Sequence, residues 1–276
     1  MSASPTAPVK SAKHAVLEHW EQASCGEELY LRSATREGYR EQARRRYELE
    51  PYIEEFADFA AARSRSVLEI GVGLGADHER FAAAGAQLCG IDLSARAVQH
   101  ARRRLAASGH DSLLLVGDAE CLPFADSAFD VVYSWGVIHH SPDTPAAVAE
   151  IYRVLRPGGV ARIMIYHRFS LVGYMLWLRY ALARGRPWMS LDRIYASYLE
   201  SPGTKAYSRT QARALFAAFP GVRIETRLTH GDLLESPAGQ RHQGKLLRLA
   251  RSVWPRALLR RFAAGHGLFM LITAVK

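Results

Sequence analysis

Cysteine is scarce in this sequence, and long apolar runs are missing. The three cysteines among 276 residues, Cys25, Cys89 and Cys121, are odd in number and lack the spacing of metal ligands. This argues against a disulfide framework, a metal site and radical chemistry at a cysteine-held cluster, and it predicts a reducing, cytoplasmic compartment. An apolar stretch over 170–178 ends at Arg179, far short of the ~20 residues that a membrane span needs.

Other signals are missing as well. Residues 1–14 lack the apolar core of a secretion signal and are expected to be a disordered lead-in. The chain shows no internal repeat, no recognisable RNA-binding module and no motif that indicates an oligomeric state. We therefore expect a soluble protein, peripheral to a membrane at most.

Acidic residues are scarce in the second half of the chain. Residues 1–160 carry 17 Lys/Arg against 22 Asp/Glu, a balance of −5, whereas residues 161–276 carry 19 against 5, a balance of +14. Residues 245–262 contain no acid and are expected to form a basic amphipathic helical segment, broken at Pro255. This half is either a solvated basic face or a surface for an anionic substrate, an acidic carrier protein or, through 245–262, a membrane.

The most informative stretch is 67–92, which reads as a strand, a glycine turn, a helix and a second strand that ends on Asp92. Gly71, Gly73 and Gly75 lack a Cβ, so the backbone can turn tightly and approach a ligand at the start of a helix. Asp92, at the tip of the second strand, is positioned to accept hydrogen bonds from both hydroxyls of a ribose. Gly71-x-Gly73-x-x-Ala76 also fits the dinucleotide pattern, so this motif alone leaves NAD, an adenosyl sulfonium and a simple linking turn open.

Strands and helices alternate without a break from 67 to 166, which predicts an α/β fold with a doubly wound parallel sheet. Ligands of such sheets bind at the carboxyl ends of the strands. Four stretches fall at those ends and are expected to converge on one site: 69–75, Asp92, 117–120 and 135–140.

The flanking regions are expected to cover this site. We predict a helical N-terminal cap over 15–62, a core over 63–166, an inserted aromatic and basic lid over 167–207, and the remaining core strands over 208–276. Aromatic side chains in the cap and the lid indicate a hydrophobic acceptor, and arginines in the lid indicate an anionic one. The candidate acceptor-binding residues are Tyr30, Tyr39, Tyr166 and Arg179.

Four sequence segments, in this order along the chain, carry a family resemblance: VLEIGVGLG, GIDLS, GDAECLPFADSAFDVVYSWGVIHH and EIYRVLRPGG. Together they resemble class I S-adenosylmethionine-dependent methyltransferases, closest to the small-molecule branch with the ubiquinone and menaquinone biosynthesis enzymes. The resemblance covers about 65–166 and favours S-adenosylmethionine over NAD as cofactor. It implies a seven-stranded sheet whose last strand, 267–275, is antiparallel and lies beside the fifth.

The resemblance also implies roles for individual residues. The turn from Gly71 through Gly73 to Gly75 packs against the methionine part of the cofactor, with Glu69 and Asp77 near its amino group. The ribose and adenine are bound by Asp92, Leu93, Asp118 and Ala119, and Trp135 borders the reacting sulfonium.

The expected activity is methyl transfer to a small, hydrophobic, anionic or phenolic acceptor, free or carrier-bound, with O- or C-methylation favoured. His139 or His140 is the candidate base, because each follows the fourth strand and titrates near neutrality. No Asn/Asp-Pro-Pro-Tyr motif follows that strand, which disfavours DNA, and the missing RNA-binding module disfavours RNA. Two alternatives stay open: an NAD-dependent oxidoreductase, and a cofactor-binding protein without transfer activity.

Overall fold

One seven-stranded mixed sheet organises the molecule. The computed structural model describes residues 6–235, 252 and 254–276, with side chains from residue 12 onward. The strand order is β3-β2-β1-β4-β5-β7-β6. The strands are β1 Ser66–Ile70, β2 Gln87–Asp92, β3 Leu113–Val116, β4 Phe129–Trp135, β5 Leu155–Tyr166, β6 Gly221–Arg227 and β7 Phe269–Val275.

Helices flank the sheet on both faces. They are α1 Thr6–Gln22, α2 Glu27–Tyr30, α3 Arg36–Leu49, α4 Tyr52–Ala57, α5 Ala76–Ala83, α6 Ala95–Ser108, α7 Thr144–Val154, α8 Leu171–Tyr180, α9 Leu191–Tyr198, α10 Arg209–Leu215 and α11 Arg256–Phe262. One core cluster joins the sheet to α7 and α10 through Ile151 and Phe216, and another joins it to α4 and α5 through Ile53 and Phe81. None of the helices in the described ranges is long and apolar enough to cross a membrane.

The sheet topology confirms the expected fold class. The pairs within β1 to β5 are all parallel. Strand β7 runs antiparallel between β5 and β6 over seven paired positions with each neighbour. This places the last strand beside the fifth, where the resemblance put it.

Strand β5 contains an irregularity near its start. Leu155 pairs with Phe129 and Val160 pairs with Val131, so the intervening residues 156–159 form an irregularity in the strand rather than a turn outside it. The backbone N–H of Gly158 donates to the Lys276 carbonyl at 2.8 Å, which secures this irregularity to the end of the chain.

Part of the region over 1–14 that the sequence analysis expects to be a disordered lead-in is helical. Helix α1 begins at Thr6, and its later turns are held by long-range contacts that local sequence patterns do not reveal. The Lys13 ammonium pairs with Asp118 and Glu120, and the Glu21 carboxylate accepts from the backbone N–H of Ala95 at 2.6 Å. Helix α1 therefore lies over the ends of β2 and β3.

The segment between β5 and α10 contains the helical pair α8 and α9. The Tyr195 hydroxyl holds the pair together through Ser170 Oγ at 2.7 Å and through the carbonyls of His167 and Arg168, each at 3.1 Å. Further along, α11 follows Pro255. Residues 245–251 and 253 of the predicted basic segment lie outside the described residues.

Candidate functional site

A cavity of ≈ 1040 Å³ opens at the carboxyl ends of β1, β2 and β4. Helix α1 and the 24–30 segment close one side, and α8 closes another. Most of the residues that the sequence singled out line this cavity: Glu69, Gly71, Gly73, Asp77, Asp92, Leu93, Asp118, Ala119, Trp135, His140, Tyr30, Tyr166 and Arg179. The doubly wound topology brings them together, because parallel strands present their carboxyl ends at one edge.

The three glycines after β1 have positive φ angles but different surroundings. A Cβ on Gly71 (φ 83°) would lie 2.1 Å from a Val137 methyl, and one on Gly75 (φ 75°) would lie 2.9 Å from the Ala101 Cα. A Cβ on Gly73 (φ 50°) would have no described heavy atom within 4 Å. Gly73 is thus the glycine whose open side faces the cavity, whereas Gly75 lies outside the lining and permits the close packing of α5 on α6.

Asp92 ends β2 with its carboxylate held by backbone amides. Oδ1 accepts from the N–H of Ser94 and Oδ2 from the N–H of Gly73, both at 3.0 Å. Burial raises the pKa of the Asp92 carboxyl, although these amides favour its ionised form. Each oxygen retains an acceptor site, so the group can accept from a pair of vicinal hydroxyls.

Glu69 lies in the cavity wall and shares a hydrogen bond with His78 Nδ1 at 2.8 Å. The His78 Nε2 atom contacts Ser112 Oγ at 2.7 Å, and burial lowers the pKa of His78 to about 3, so its ring is neutral. Burial, reinforced by the nearby Asp77, raises the pKa of Glu69 well above its usual range. A cationic group in the cavity would stabilise the ionised form of Glu69.

Asp77 is already fully occupied by protein groups. Arg46 donates to both of its oxygens, at 3.2 and 2.7 Å, and the hydroxyls of Tyr47 and Tyr133 donate at 3.0 and 2.9 Å. Burial disfavours the charge, but Arg46 and these hydroxyls lower the pKa of Asp77 overall. Asp77 therefore anchors α3 to the start of α5, and its role beside a cofactor amino group stays a prediction.

The adenine-side candidates lie beneath helix α1. Asp118 accepts from the backbone N–H of Glu120 at 2.9 Å and from Lys13, while Leu93 and Ala119 complete the wall. Trp135, 9% exposed, packs against Tyr52 with ring centroids 6.0 Å apart.

The two histidines after β4 differ in accessibility. His139 is fully buried, lies outside the cavity lining, and has no hydrogen-bond partner for either ring nitrogen among the described residues. Burial and the neighbouring His140 lower the pKa of His139 well below its usual range. Of the two histidines only His140 lines the cavity, and the role of a histidine as base stays a prediction.

One of the four predicted acceptor-binding residues lies elsewhere. Tyr39 is 2% exposed and its hydroxyl contacts His100 Nδ1 at 3.0 Å, so it belongs to the packing between α3 and α6. Its position on the helix resembled that of a pocket aromatic, but the ring faces inward. Arg179 lines the cavity and its guanidinium lies 5.2 Å from the centre of the Tyr180 ring.

Two acidic residues of the cavity wall were missed by the sequence analysis. Glu50 ends α3, and burial raises its pKa to about 7 despite the opposing effect of Arg46. Glu200 follows α9, and its Oε2 accepts from the Tyr166 hydroxyl at 2.7 Å and lies 3.3 Å from His140 Nε2. Neither residue belongs to a sequence motif, so only its acidic side chain could have suggested a role in the site.

One group of described side chains has the composition of a metal site. His139, His140 and Glu200 each offer a ligand atom, and these atoms lie within 4.8 Å of one another. None of the three is a cysteine, and Glu200 lies far along the chain from the two histidines, so the sequence pattern does not indicate this group.

Comparisons with known proteins identify the central segment. Residues 68–163 match the family model described as a methyltransferase domain. A malonyl-[acyl-carrier protein] O-methyltransferase of Erwinia pyrifoliae is 40% identical over 93 residues, 34% of this chain and 34% of that protein. A demethylmenaquinone methyltransferase of Tropheryma whipplei is 34% identical over 137 residues, 48% of this chain and 56% of that protein.

A solved structure shows the same fold. Haemonchus contortus phosphoethanolamine N-methyltransferase 2, in complex with phosphomonomethylethanolamine and S-adenosylhomocysteine, is 22% identical, with a TM-score of 0.55. The match covers 83% of this chain and 52% of that protein. The chain spans only about a third to a half of the curated relatives' lengths.

The resemblance drawn from the four sequence motifs is thus confirmed for the central segment. Residues 68–163 match a methyltransferase domain, and the curated relatives that this segment resembles are named as methyltransferases. The comparisons give no support to the oxidoreductase alternative.

Proposed function

We propose that this protein binds S-adenosylmethionine in the cavity and transfers its methyl group to a small, largely apolar acceptor. The observation that carries the proposal is the pairing of Asp92 with Gly73. A carboxylate with spare acceptor capacity lies beside a backbone turn whose open side faces the cavity.

The residues present fit the cofactor. Asp92 offers acceptors to a ribose diol, we assign Asp118 and Ala119 of the cavity wall to the adenine edge, and the acidic Glu69 suits a cationic amino group. When bound, S-adenosylmethionine supplies an electrophilic methyl group on a sulfonium. The task of this chain is then to hold the acceptor in line and exclude water, which is catalysis by proximity and orientation.

The side of the cavity near α8 suits an apolar acceptor. Its wall is built by Val172, Met175 and Leu176 of α8 and by Leu234 and Trp254 from later in the chain. The partly buried guanidinium of Arg46 is committed to Asp77, and Arg179 of the lid is the arginine that we assign to an anionic part of the acceptor. This arrangement supports an acceptor whose reacting end is deep and whose charged part stays outside.

The names of the relatives agree with an acceptor of this kind. One acts on a malonyl group attached to an acyl carrier protein and the other on demethylmenaquinone. A carrier-bound acceptor would also suit the +14 balance of the second half of the chain, because carrier proteins of acidic character are attracted to such a surface.

Calorimetric titration of S-adenosylmethionine, S-adenosylhomocysteine and NADH tests the cofactor. We expect the two sulfur compounds to bind and NADH not to bind. Asp92→Ala should weaken binding at least about tenfold, because both acceptor oxygens are lost. Asp111→Ala is the matched control, since Asp111 is an exposed carboxylate near the start of β3. Binding of NADH alone, or unchanged affinity in Asp92→Ala, would contradict the proposal.

A further inference from the structure

The loop after β4 and the end of the inserted segment bring three donor side chains together. His139 and His140 follow β4, and Glu200 follows α9. The backbone N–H of Lys205 donates to the His139 carbonyl at 3.1 Å, which holds the inserted segment against the loop. One ligand atom from each of the three donor residues lies within 4.8 Å of the others. This His–His–Glu cluster therefore places two imidazoles and one carboxylate around a common point.

His139 is the member of the cluster whose surroundings point to a ligand. Its side chain is 0% exposed, and neither ring nitrogen has a hydrogen-bond partner among the described residues. Buried polar groups are nearly always paired, because an unpaired one costs the free energy of its desolvation. The rings of His140 and Tyr166, with centroids 4.2 and 4.1 Å away, give His139 packing contacts but no hydrogen bond. A metal ion would pair one of the two nitrogens.

His140 and Glu200 have the spacing of two ligands of one ion. His140 Nε2 lies 3.3 Å from Glu200 Oε2, yet it has no hydrogen-bond partner among the residues that the structure describes. Donor atoms that bind a tetrahedral ion at about 2.0–2.1 Å are about 3.3–3.4 Å from each other. The contact between the two side chains therefore matches one edge of a tetrahedral site.

Hydroxyl groups around the cluster suit metal-bound side chains. His140 Nδ1 contacts Ser201 Oγ at 2.7 Å and Thr204 Oγ1 at 3.2 Å. These contacts are compatible with either tautomer of the free ring, and an ion at Nε2 would select the tautomer in which Nδ1 donates to a hydroxyl oxygen. The Tyr166 hydroxyl donates to Glu200 Oε2 at 2.7 Å. Hydrogen bonds of this kind orient the imidazoles and carboxylates that bind metals.

The donor set indicates the class of ion. Two imidazoles and a carboxylate are typical ligands of Zn²⁺ and other first-row divalent ions, whereas Mg²⁺ prefers oxygen ligands. Glu50 of the cavity wall lies close enough to Glu200 for their charges to interact, which adds to the negative potential. The Lys205 ammonium opposes a cation, but it is bound by the carbonyls of Ser141 and Pro142, at 2.8 and 2.6 Å. The ligands thus favour Zn²⁺ or a similar ion.

We propose that His139, His140 and Glu200 bind a divalent first-row transition-metal ion such as Zn²⁺, with an open coordination position that faces the cavity. His140 and Glu200 line the cavity, whereas His139 is buried outside its lining, so the ion would lie at the cavity surface. Three protein ligands and one open position are typical of catalytic zinc sites. An oxygen of the methyl acceptor can occupy that position. Only this last role rests on the proposed function, because ion binding requires no methyl transfer.

Calorimetric titration of Zn²⁺ into the full chain, first freed of metal with a chelator, tests the site. Wild type should bind one ion tightly. Glu200→Gln should weaken binding at least about tenfold, a loss that removal of even an outer-shell partner can cause. Glu48→Gln is the matched control, because Glu48 is an exposed carboxylate outside the cluster. Absence of tight binding in wild type, or equal affinity in the two variants, overturns the proposal.

His139→Phe separates a metal ligand from a packing residue. The variant keeps an aromatic ring in the buried space and removes both nitrogens. Urea unfolding of each protein is compared with Zn²⁺ and with chelator, so that the intrinsic stability of the variant cancels. Zn²⁺ should stabilise wild type and not His139→Phe, because an ion that binds the folded state shifts the unfolding equilibrium. Equal stabilisation of both proteins would show that the ion binds elsewhere and would overturn the proposal.

Cobalt substitution tests the open coordination position. Co²⁺ bound to wild type should give visible absorption bands of a low-coordinate site, weakened in Glu200→Gln, and azide should shift them by binding at the open position. Bands that do not respond to azide would refute the open position. Binding of S-adenosylhomocysteine without tight binding of Zn²⁺ would refute this inference alone. Tight binding of Zn²⁺ without binding of S-adenosylhomocysteine would refute the proposed function alone.

Discussion

Two glycines of the turn after β1, Gly71 and Gly73, differ in what surrounds them. Gly71 is enclosed by Val137, whereas the open side of Gly73 faces the cavity, although both have positive φ. The family pattern treats the two as equivalent members of one motif. Their surroundings predict different consequences of substitution.

Gly71→Ala should lower the free energy of unfolding by about 2–4 kcal/mol, because a methyl would overlap Val137 in a left-handed conformation. Gly73→Ala should cost only about 1–2 kcal/mol for the conformation, yet weaken S-adenosylhomocysteine at least about tenfold. Urea unfolding and calorimetry on the two variants measure these effects. Normal ligand affinity in Gly73→Ala would show that the turn does not approach the ligand.

Asp77 shows that a residue in a motif position can also hold two helices of the protein together. It lies where the resemblance places a ligand-binding acid, but Arg46, Tyr47 and Tyr133 use its acceptor sites. Its negative charge is compensated inside the protein. Glu69 is then the acid of this pair that remains suited to a cationic ligand.

At the scale of elements, the α8–α9 pair is built around one tyrosine. A Cβ on Gly173 would lie 2.3 Å from the Tyr195 hydroxyl oxygen, so the glycine lets α9 approach α8 closely. That hydroxyl also reaches Ser170 and two backbone carbonyls. The position of Glu200, just after α9, depends on this packing.

Tyr195→Phe should loosen the 167–207 segment while leaving the sheet intact. The variant removes the hydroxyl from a buried network, which should cost about 1–3 kcal/mol through unpaired polar groups. Hydrogen exchange should accelerate within 167–207, with protection in β1 and β4 unchanged. Tyr152→Phe, in α7, serves as the control. Equal acceleration across the whole sheet would argue that this segment does not open separately.

At the scale of the whole molecule, folding collects acidic groups around the cavity. Burial raises the pKa of Glu50, Glu69 and Asp92, so each is harder to ionise in the folded chain than in the unfolded one. These groups form part of the cavity wall, but their ionisation lowers the free energy of unfolding as the pH rises.

Glu50 gives this effect a defined pH window. Its pKa rises from 4.5 unfolded to about 7 folded, so the folded state binds more protons between these values and the free energy of unfolding falls as pH rises through them. Glu50→Gln should remove up to about 3 kcal/mol of that fall. Urea unfolding from pH 4 to 8 measures it, with the exposed Glu48→Gln as control. A slope unchanged in Glu50→Gln would show that Glu50 titrates normally.

Some basic side chains in the second half of the chain bind other groups of the same protein. Arg162 pairs with Asp58 at 2.9 Å, and the Lys276 ammonium donates to the carbonyls of Tyr152 and Leu155, both at 2.7 Å. Arg179 and Arg184 instead lie beside the ring of Tyr180 near the cavity. The ion pair of Arg162 offsets one positive charge, whereas Lys276 is held by neutral carbonyls and keeps its charge.

The sequence by itself determined the sheet, the glycine turn and Asp92, because these depend on short patterns: apolar strands, missing Cβ atoms and an acid at a strand tip. It also indicated the last antiparallel strand through the family resemblance. Tertiary structure alone decided that Arg46 occupies Asp77, that Tyr39 faces the interior, and that Glu200 meets His140 in the cavity. Each of these depends on a contact between distant segments, and no local periodicity encodes which side chains such a contact brings together.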